Sequence, residues 1–353
     1  MQQLTLAYRP TLFSEVWGQR AALRVLTGFI EKDRVPGTLL LSGPRGVGKT
    51  TIARILARRL NCLHPEGIDP CGACKSCMAE NHPDILELNA ASDRGIDMVR
   101  GLEQVSMLSP QYKRRVIILD EAHAITPSAG QALLKALEEV PPTACFVIVT
   151  TDPDKLPDTV LSRCSKLAFS NVASPVITKS LLAVAKAESV DLDPKAAKLI
   201  TDACDGHPRE ALMLLEQALC LQSEGEDPGD WISLVKTVIK NTAKTVLIDF
   251  CKPLLSSEVE ESLGVIGRLE EDMLADLFRR VIDVMDLWCI ACATEKPYPN
   301  PKINKLKPKE DEDFFEKVFQ GVETFSEWYY AAEQERLSFR QALNHAVIKF
   351  CLG

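Results

Sequence analysis

The sequence predicts a three-layer α/β domain around a five-stranded parallel sheet, followed by a region that is helical to its end. Three observations predict it. Short apolar runs alternate with helical patterns from Thr38 to Phe169. A glycine-rich loop joins the first of these runs to the helix that follows. Beyond Asn171-Val172-Ala173-Ser174-Pro175 the strand pattern stops and only helical periodicity continues.

Thr38 to Ser42 reads as a short buried strand, and Ile52, Ile55, Leu56 and Leu60 then recur at helical spacing. Between them stands Gly43-Pro44-Arg45-Gly46-Val47-Gly48-Lys49-Thr50, a G-x-x-x-x-G-K-T phosphate-binding loop continued by Thr51. Its glycines let backbone N–H groups turn inward around phosphates, Lys49 brings a point charge, and the Thr50 hydroxyl is placed to ligate Mg2+. The helix adds its positive N-terminal dipole. Nucleoside triphosphate binding is therefore expected. Asp84 to Asn89 is the next strand. The third begins at Arg115 and ends on Asp120-Glu121, where a parallel sheet presents its ligand-binding edge. Asp120 is expected to hold magnesium, directly or through water, and Glu121 to polarise the water that attacks the terminal phosphate. A helix over Ser128 to Glu139 is bounded by Thr126 as N-cap, Pro127 at its first position and Pro141-Pro142 beyond its end. Cys145 to Thr151 and Lys166 to Phe169 complete the strands.

In the helical region Asp193 and Pro194 start one helix and Gly206 stops it. Arg209 lies in the first turn of the next, where the helix dipole disfavours a cation and a ligand role would offset the cost. Residues 223–230 form a polar linker into a third region. There Leu274, Leu277, Phe278, Val281, Met285, Trp288 and Cys292 make an apolar stripe, so Cys289-Ile290-Ala291-Cys292 reads as buried helix and not as a redox pair. The proline- and lysine-bearing stretch 295–312 reads as a solvated loop.

A chain of 353 residues with 46% hydrophobic and 25% charged residues predicts two or three globular domains. Its net charge of -8 argues against a protein that coats nucleic acid by bulk electrostatics and leaves room for local basic patches. No apolar run reaches membrane-spanning length, and Met1-Gln2-Gln3-Leu4-Thr5 lacks the features of a secretory signal, so a cytosolic protein is expected. In such a compartment the twelve cysteines are not a disulfide framework. Cys62, Cys71, Cys74 and Cys77 have the spacing C-x8-C-x2-C-x2-C, with turns supplied by Gly67, Pro70 and Gly72. Four thiolates suit a tetrahedral zinc, and the C-x2-C-x2-C run also suits a [4Fe–4S] cluster. Cys145, Cys164, Cys204, Cys220, Cys251 and Cys351 read as core residues.

Leu6-Ala7-Tyr8-Arg9-Pro10, the phosphate loop, Asp120-Glu121-Ala122-His123, Leu133 to Glu139, Thr150-Thr151-Asp152-Pro153 and Leu161-Ser162-Arg163-Cys164 occur in this order. In that order they resemble the clamp-loader branch of the AAA+ ATPases, and within it the bacterial DNA polymerase III gamma/tau family. The match is dense from residue 5 to about residue 220. The resemblance implies an AAA+ module over 1–172 with a structural zinc module at about 61–80, a helical lid over 173–225 and a helical collar over 230–353. It implies ATP, Mg2+ and Zn2+ as cofactors, with zinc held by Cys62, Cys71, Cys74 and Cys77. Tyr8, Arg9 and Pro10 match the segment that packs near the adenine. Thr151 matches the residue that senses the terminal phosphate, Arg163 the arginine that reaches into the neighbouring subunit's site, and Arg209 the second sensor arginine. Asn89 matches a residue that restrains the catalytic glutamate, and Arg94 a position that contacts the DNA backbone. Asp93 beside it departs from the bacterial pattern and resembles other clamp-loader branches.

The implied activity is DNA-dependent ATP hydrolysis that opens a sliding clamp and places it on primer-template DNA, with no polymerase activity. The implied partners are the clamp, primer-template DNA held without sequence reading, other clamp-loader subunits and further copies of this chain, in a bacterial cytoplasm or nucleoid or encoded by a virus. A chain ending at Gly353 is expected to lack the long tail of the tau form. The alternatives are a branch-migration or helicase-loading ATPase, and a loader scaffold without turnover, against which intact Lys49, Asp120 and Glu121 argue.

Overall fold

The computed structural model describes residues 3–92, 96–221, 231–240, 243–269, 271–294, 314–334 and 337–352. Arg94, the 223–230 linker, the 295–312 loop and the side chains of Trp288, Cys289 and Cys292 lie outside the described residues.

Five parallel strands form the sheet, β1 (Thr38–Ser42), β2 (Ile85–Asn89), β3 (Arg115–Asp120), β4 (Ala144–Thr150) and β5 (Ser165–Ala168), in the order β2-β3-β4-β1-β5. Their two-residue period splits the core into layers. Leu39, Leu41, Val116, Ile118, Val147 and Val149 face one side. They meet α2 (Arg20–Glu31) through Leu26 and α3 (Lys49–Asn61) through Ile52 and Leu56. Leu40, Ile117, Leu119, Phe146 and Ile148 face the other, against Val99 and Leu102 of α4 (Ile96–Met107) and Leu133 and Leu137 of α5 (Pro127–Glu138). Both faces are covered, which is why β1 and β4 carry almost uninterrupted apolar residues. Two short helices flank this domain, α1 (Leu4–Ala7) and α6 (Asp158–Leu161).

Insertion of β4 between β1 and β3 is not written in the order of the elements. Its consequence is local: Ser42 pairs with Thr150 and Asn89 with Asp120, so the carboxyl ends of the strands converge on one edge. The predicted caps form. Thr126 Oγ1 accepts the Ala129 N–H at 3.3 Å at the start of α5.

Three helices follow, α7 (Ser174–Ala187), α8 (Pro194–Ala203) and α9 (Pro208–Leu221), packed through Ile177, Leu181, Ile200 and Leu215. Asp193 caps α8 by accepting the Lys195 N–H at 2.7 Å. Gly206 then turns the chain at φ +85°, where a Cβ would lie 2.6 Å from Asn171 Cβ and 2.9 Å from Val172 O. Only glycine admits this approach of the helices to the end of the sheet domain.

The chain divides into two compact units, Met1–Val235 and Lys236–Gly353, and α10 (Trp231–Lys240) crosses the division in sequence. The second unit contains α11 (Ala243–Leu255), α12 (Val259–Gly267), α13 (Glu271–Thr294), α14 (Phe314–Glu333) and α15 (Phe339–Leu352). Its core is centred on Phe325, which meets Phe250, Phe278 and Phe350 edge to face at 6.5, 5.8 and 5.9 Å between centroids. No described helix is long and apolar enough to cross a membrane.

Candidate functional site

The loop after β1 is shaped by backbone demands before it binds anything. Gly43 has φ +144°, and a Cβ there would stand 2.3 Å from Phe169 O. Freed of that clash, the chain curls so that Lys49 starts α3 and its ammonium turns back to donate to Gly43 O at 2.7 Å and Pro44 O at 2.6 Å. Burial lowers the Lys49 pKa, opposed by the nearby Glu121 and Asp120 charges. These loop carbonyls hold the cation where arriving phosphates would replace them.

A cavity of ≈ 390 Å³ opens above this loop, within the range of ~300–1,000 Å³ usual for cofactor sites. It brings together most of the residues predicted from the sequence. Tyr8, Arg9 and Pro10 line it from the N-terminal segment, Arg45, Gly46, Val47, Gly48, Lys49, Thr50 and Thr51 from the phosphate loop and the start of α3, Asp120 from the end of β3, Glu121 just beyond it, Thr151 from beyond β4 and Arg209 from α9. Gly43 and Pro44 do not line it and contribute the carbonyls that hold Lys49. Arg163 is absent from its walls: its guanidinium donates to Glu138 Oε1 at 2.6 Å and Thr159 O at 2.8 Å.

Thr50 Oγ1 donates to Asp120 Oδ2 at 2.9 Å, and Asp120 Oδ1 accepts the Glu121 N–H at 2.8 Å. Two oxygens side by side fit a hard cation that keeps most of its waters, as Mg2+ does. Glu121 occupies the left-handed region at φ +51°, a conformation that costs a non-glycine residue on the order of 1 kcal/mol or more and is concentrated at functional sites. Arg9 Nε donates to Thr51 Oγ1 at 3.3 Å, and its pKa is lowered by burial and by the neighbouring Arg54, with Arg209 adding to the effect. Such crowding of guanidinium groups suits a polyanion. Tyr8 Oη donates to Glu188 Oε1 at 2.6 Å, tying the N-terminal segment to the end of α7. Asn89 Oδ1 accepts the Ala91 N–H at 2.8 Å.

Sequence reasoning missed part of the wall. Val16, Trp17 and Leu212 supply apolar lining, Thr150 lines the cavity beside Thr151, and His123 Nδ1 lies 3.3 and 3.4 Å from their hydroxyls. The available signal was Gly18-Gln19 before α2. Gln19 is buried at φ +53°, donating to Ser170 O at 2.6 Å and accepting from Ser170 N at 3.3 Å.

A second constellation lies at the end of α3. The Cys62, Cys71, Cys74 and Cys77 sulfurs all fall within 4.8 Å of one another. A tetrahedron with metal–sulfur bonds of about 2.3 Å has edges of about 3.8 Å, so one ion fits among them. An iron–sulfur cubane would spread the thiolates further apart. Burial raises Cys77 to about 12, with donation to Cys74 adding to the shift. Burial also acts to raise Cys74, but hydrogen bonds from the Leu63 and Cys77 backbone outweigh it and bring that thiol to about 6. Asp69 ties the module to the N-terminal segment, accepting from Phe13 N at 2.6 Å and Ser14 Oγ at 3.0 Å.

Residues 18–173 match the family model described as DNA polymerase III, delta subunit. The chain is 34% identical to the DNA polymerase III subunit gamma/tau of Mycoplasma genitalium over 76% of its own length and 45% of the relative's. It is 41% identical to the gamma/tau subunit of Mycobacterium bovis over 60% of this chain and 38% of that one. The chain thus spans less than half the length of these curated relatives. Among solved structures, the Thermotoga maritima RuvB Holliday junction branch migration motor aligns with a TM-score of 0.51 at 20% identity, over 72% of this chain and 80% of that one. That likeness establishes the fold. Taken with the phosphate loop, the Thr50–Asp120 pair and the carboxyl-edge cavity, these matches show that the chain belongs to the clamp-loader AAA+ ATPases.

Proposed function

We propose that this chain is an ATP-hydrolysing motor subunit of a sliding-clamp loader, working in a bacterial cytoplasm or nucleoid. The observation that carries the proposal is a cavity whose walls hold the expected nucleotide-handling side chains, with Arg163 outside them. Arg163 stands outside its own subunit's cavity, on the surface. That position leaves the guanidinium available to the site of an adjoining subunit, the role the resemblance gives it, and turnover would then be conditional on assembly.

Arg9, Lys49 and Arg209 neutralise the phosphates, and Tyr8 and Pro10 wall the base end. Thr50 and Asp120 hold Mg2+, which when bound neutralises charge between the outer phosphates. Glu121 orients and polarises the attacking water, and Thr151 faces the terminal phosphate. The lid over 173–225 closes on the nucleotide by way of Arg209, and the helices of 230–353 act as a collar between subunits. Cys62, Cys71, Cys74 and Cys77 hold a structural zinc with no open coordination position. Arg94 contacts the duplex backbone and positions DNA without reading its sequence.

Turnover measured with the matching clamp and primer-template DNA tests this reading. The expected result is a rate raised by the two together and not by single strands or four-way junctions alone. Stimulation by junctions without a clamp would transfer the chain to the branch-migration motors.

A further inference from the structure

His123 lies between the residue expected to sense the terminal phosphate and the one expected to polarise water. It follows β3 in the single 3-10 turn Ala122–Ala124, with a side chain 23% exposed. Its Nδ1 is 3.3 Å from Thr150 Oγ1 and 3.4 Å from Thr151 Oγ1, and its Nε2 is 3.6 Å from Glu121 Oε2. The Thr150 hydroxyl accepts from Asp152 N at 3.1 Å, and its single hydrogen has two acceptors in reach, Asp152 O at 3.0 Å and His123 Nδ1 at 3.3 Å. With that hydrogen on Asp152 O, the Thr151 hydroxyl is, among the described residues, the group placed to donate to Nδ1. A neutral ring that accepts there carries its N–H on Nε2, aimed at the Glu121 carboxylate. A protonated ring also aims Nε2–H at Glu121. A neutral ring with the proton on Nδ1 would set a bare nitrogen against a carboxylate. The 3.6 Å separation is longer than a hydrogen bond, and such contacts tighten once substrate is bound.

We infer that His123 is a positioning residue that carries the state of Thr151 to Glu121. The inference rests on the roles given to those two residues above. Thr151 has one hydroxyl hydrogen. Donated to a terminal phosphate oxygen, it is withdrawn from Nδ1, and Thr151 Oγ1 is left able to accept an N–H from the ring. That changes the protonation or tautomer of the ring whose other nitrogen faces Glu121. A diphosphate lacks the oxygen and leaves the ring as it is. Glu121, already held at positive φ, is thereby aimed only over a loaded triphosphate.

The test is the nitrogen NMR of the histidine rings in the full chain, with His123→Gln identifying the signal among the five histidines. Mg·ADP is compared with Mg and a non-hydrolysable ATP analogue. The His123 signals are expected to shift with the triphosphate analogue alone, and Thr151→Val should abolish the shift. A ring unmoved by the analogue, or a shift that survives Thr151→Val, would overturn the inference. In turnover, His123→Ala should lower kcat about 10²-fold with KM within about twofold, and His123→Gln, which keeps an N–H near the Nε2 position, should recover more than His123→Asn. Losses strictly additive with those of Thr151→Ala would contradict the coupling. A wild-type chain that never hydrolyses ATP would sink the proposed function, while the ring signals would still decide this inference.

Discussion

Tyr8 illustrates how single side chains couple distant parts of the first unit. Its phenol donates to Glu188 across 180 residues of sequence, and that donation, followed by burial and the Glu188 charge, raises its pKa. A raised phenol pKa means that folding favours the protonated form. The contribution is complete below the ordinary tyrosine pKa near ~10 and disappears as pH climbs through the raised value. Tyr8→Phe should cost less than about 1 kcal/mol, because the pair is half exposed, and should remove this alkaline sensitivity. Urea melts at neutral and alkaline pH would check both effects, and a variant with the unchanged wild-type pH profile would contradict them. At this scale the sequence was legible where chemistry sits in a local motif. Gly43 to Thr51, Asp120 and Glu121 reach the cavity directly or hold what does. It was not legible where a role depends on a partner far along the chain. His123 stood inside a recognised motif without an assigned task, because nothing local shows that Thr150 and Thr151 lie beside it.

Among the elements, strand positions followed from apolar runs, and each strand begins or ends within a residue of its expected limit. The lateral order of the strands did not follow, since β4 enters between β1 and β3 through long-range pairing that no local pattern encodes. Wall residues such as Trp17 were missed for the same reason. The cysteine module was legible from spacing, and its sulfurs converge. Removal of the proposed zinc should act on folding and not on chemistry, because four cysteines would fill all of its ligand positions. Metal analysis of the purified chain should give about one zinc per chain, and a strong chelator or Cys74→Ser should lower Tm. Iron with visible absorbance, or a Tm indifferent to both treatments, would contradict the assignment.

For the whole molecule, composition and charge constrained partners only by exclusion. A net charge of -8 argues against wrapping nucleic acid with one chain. The proposed function places the decisive property in the assembly, with Arg163 of one copy offered to the triphosphate site of another. Lys49→Ala removes the loop charge, and Arg163→Ala removes the guanidinium offered to a neighbour. The most direct measurement mixes these two variants, each with its partner subunits, and follows ATP turnover with clamp and primer-template DNA. The account predicts that each variant alone is inactive, that Arg163→Ala still binds nucleotide, and that the mixture regains turnover where an intact cavity adjoins an intact arginine. Normal hydrolysis by Arg163→Ala alone, or a mixture as silent as its components, would contradict it.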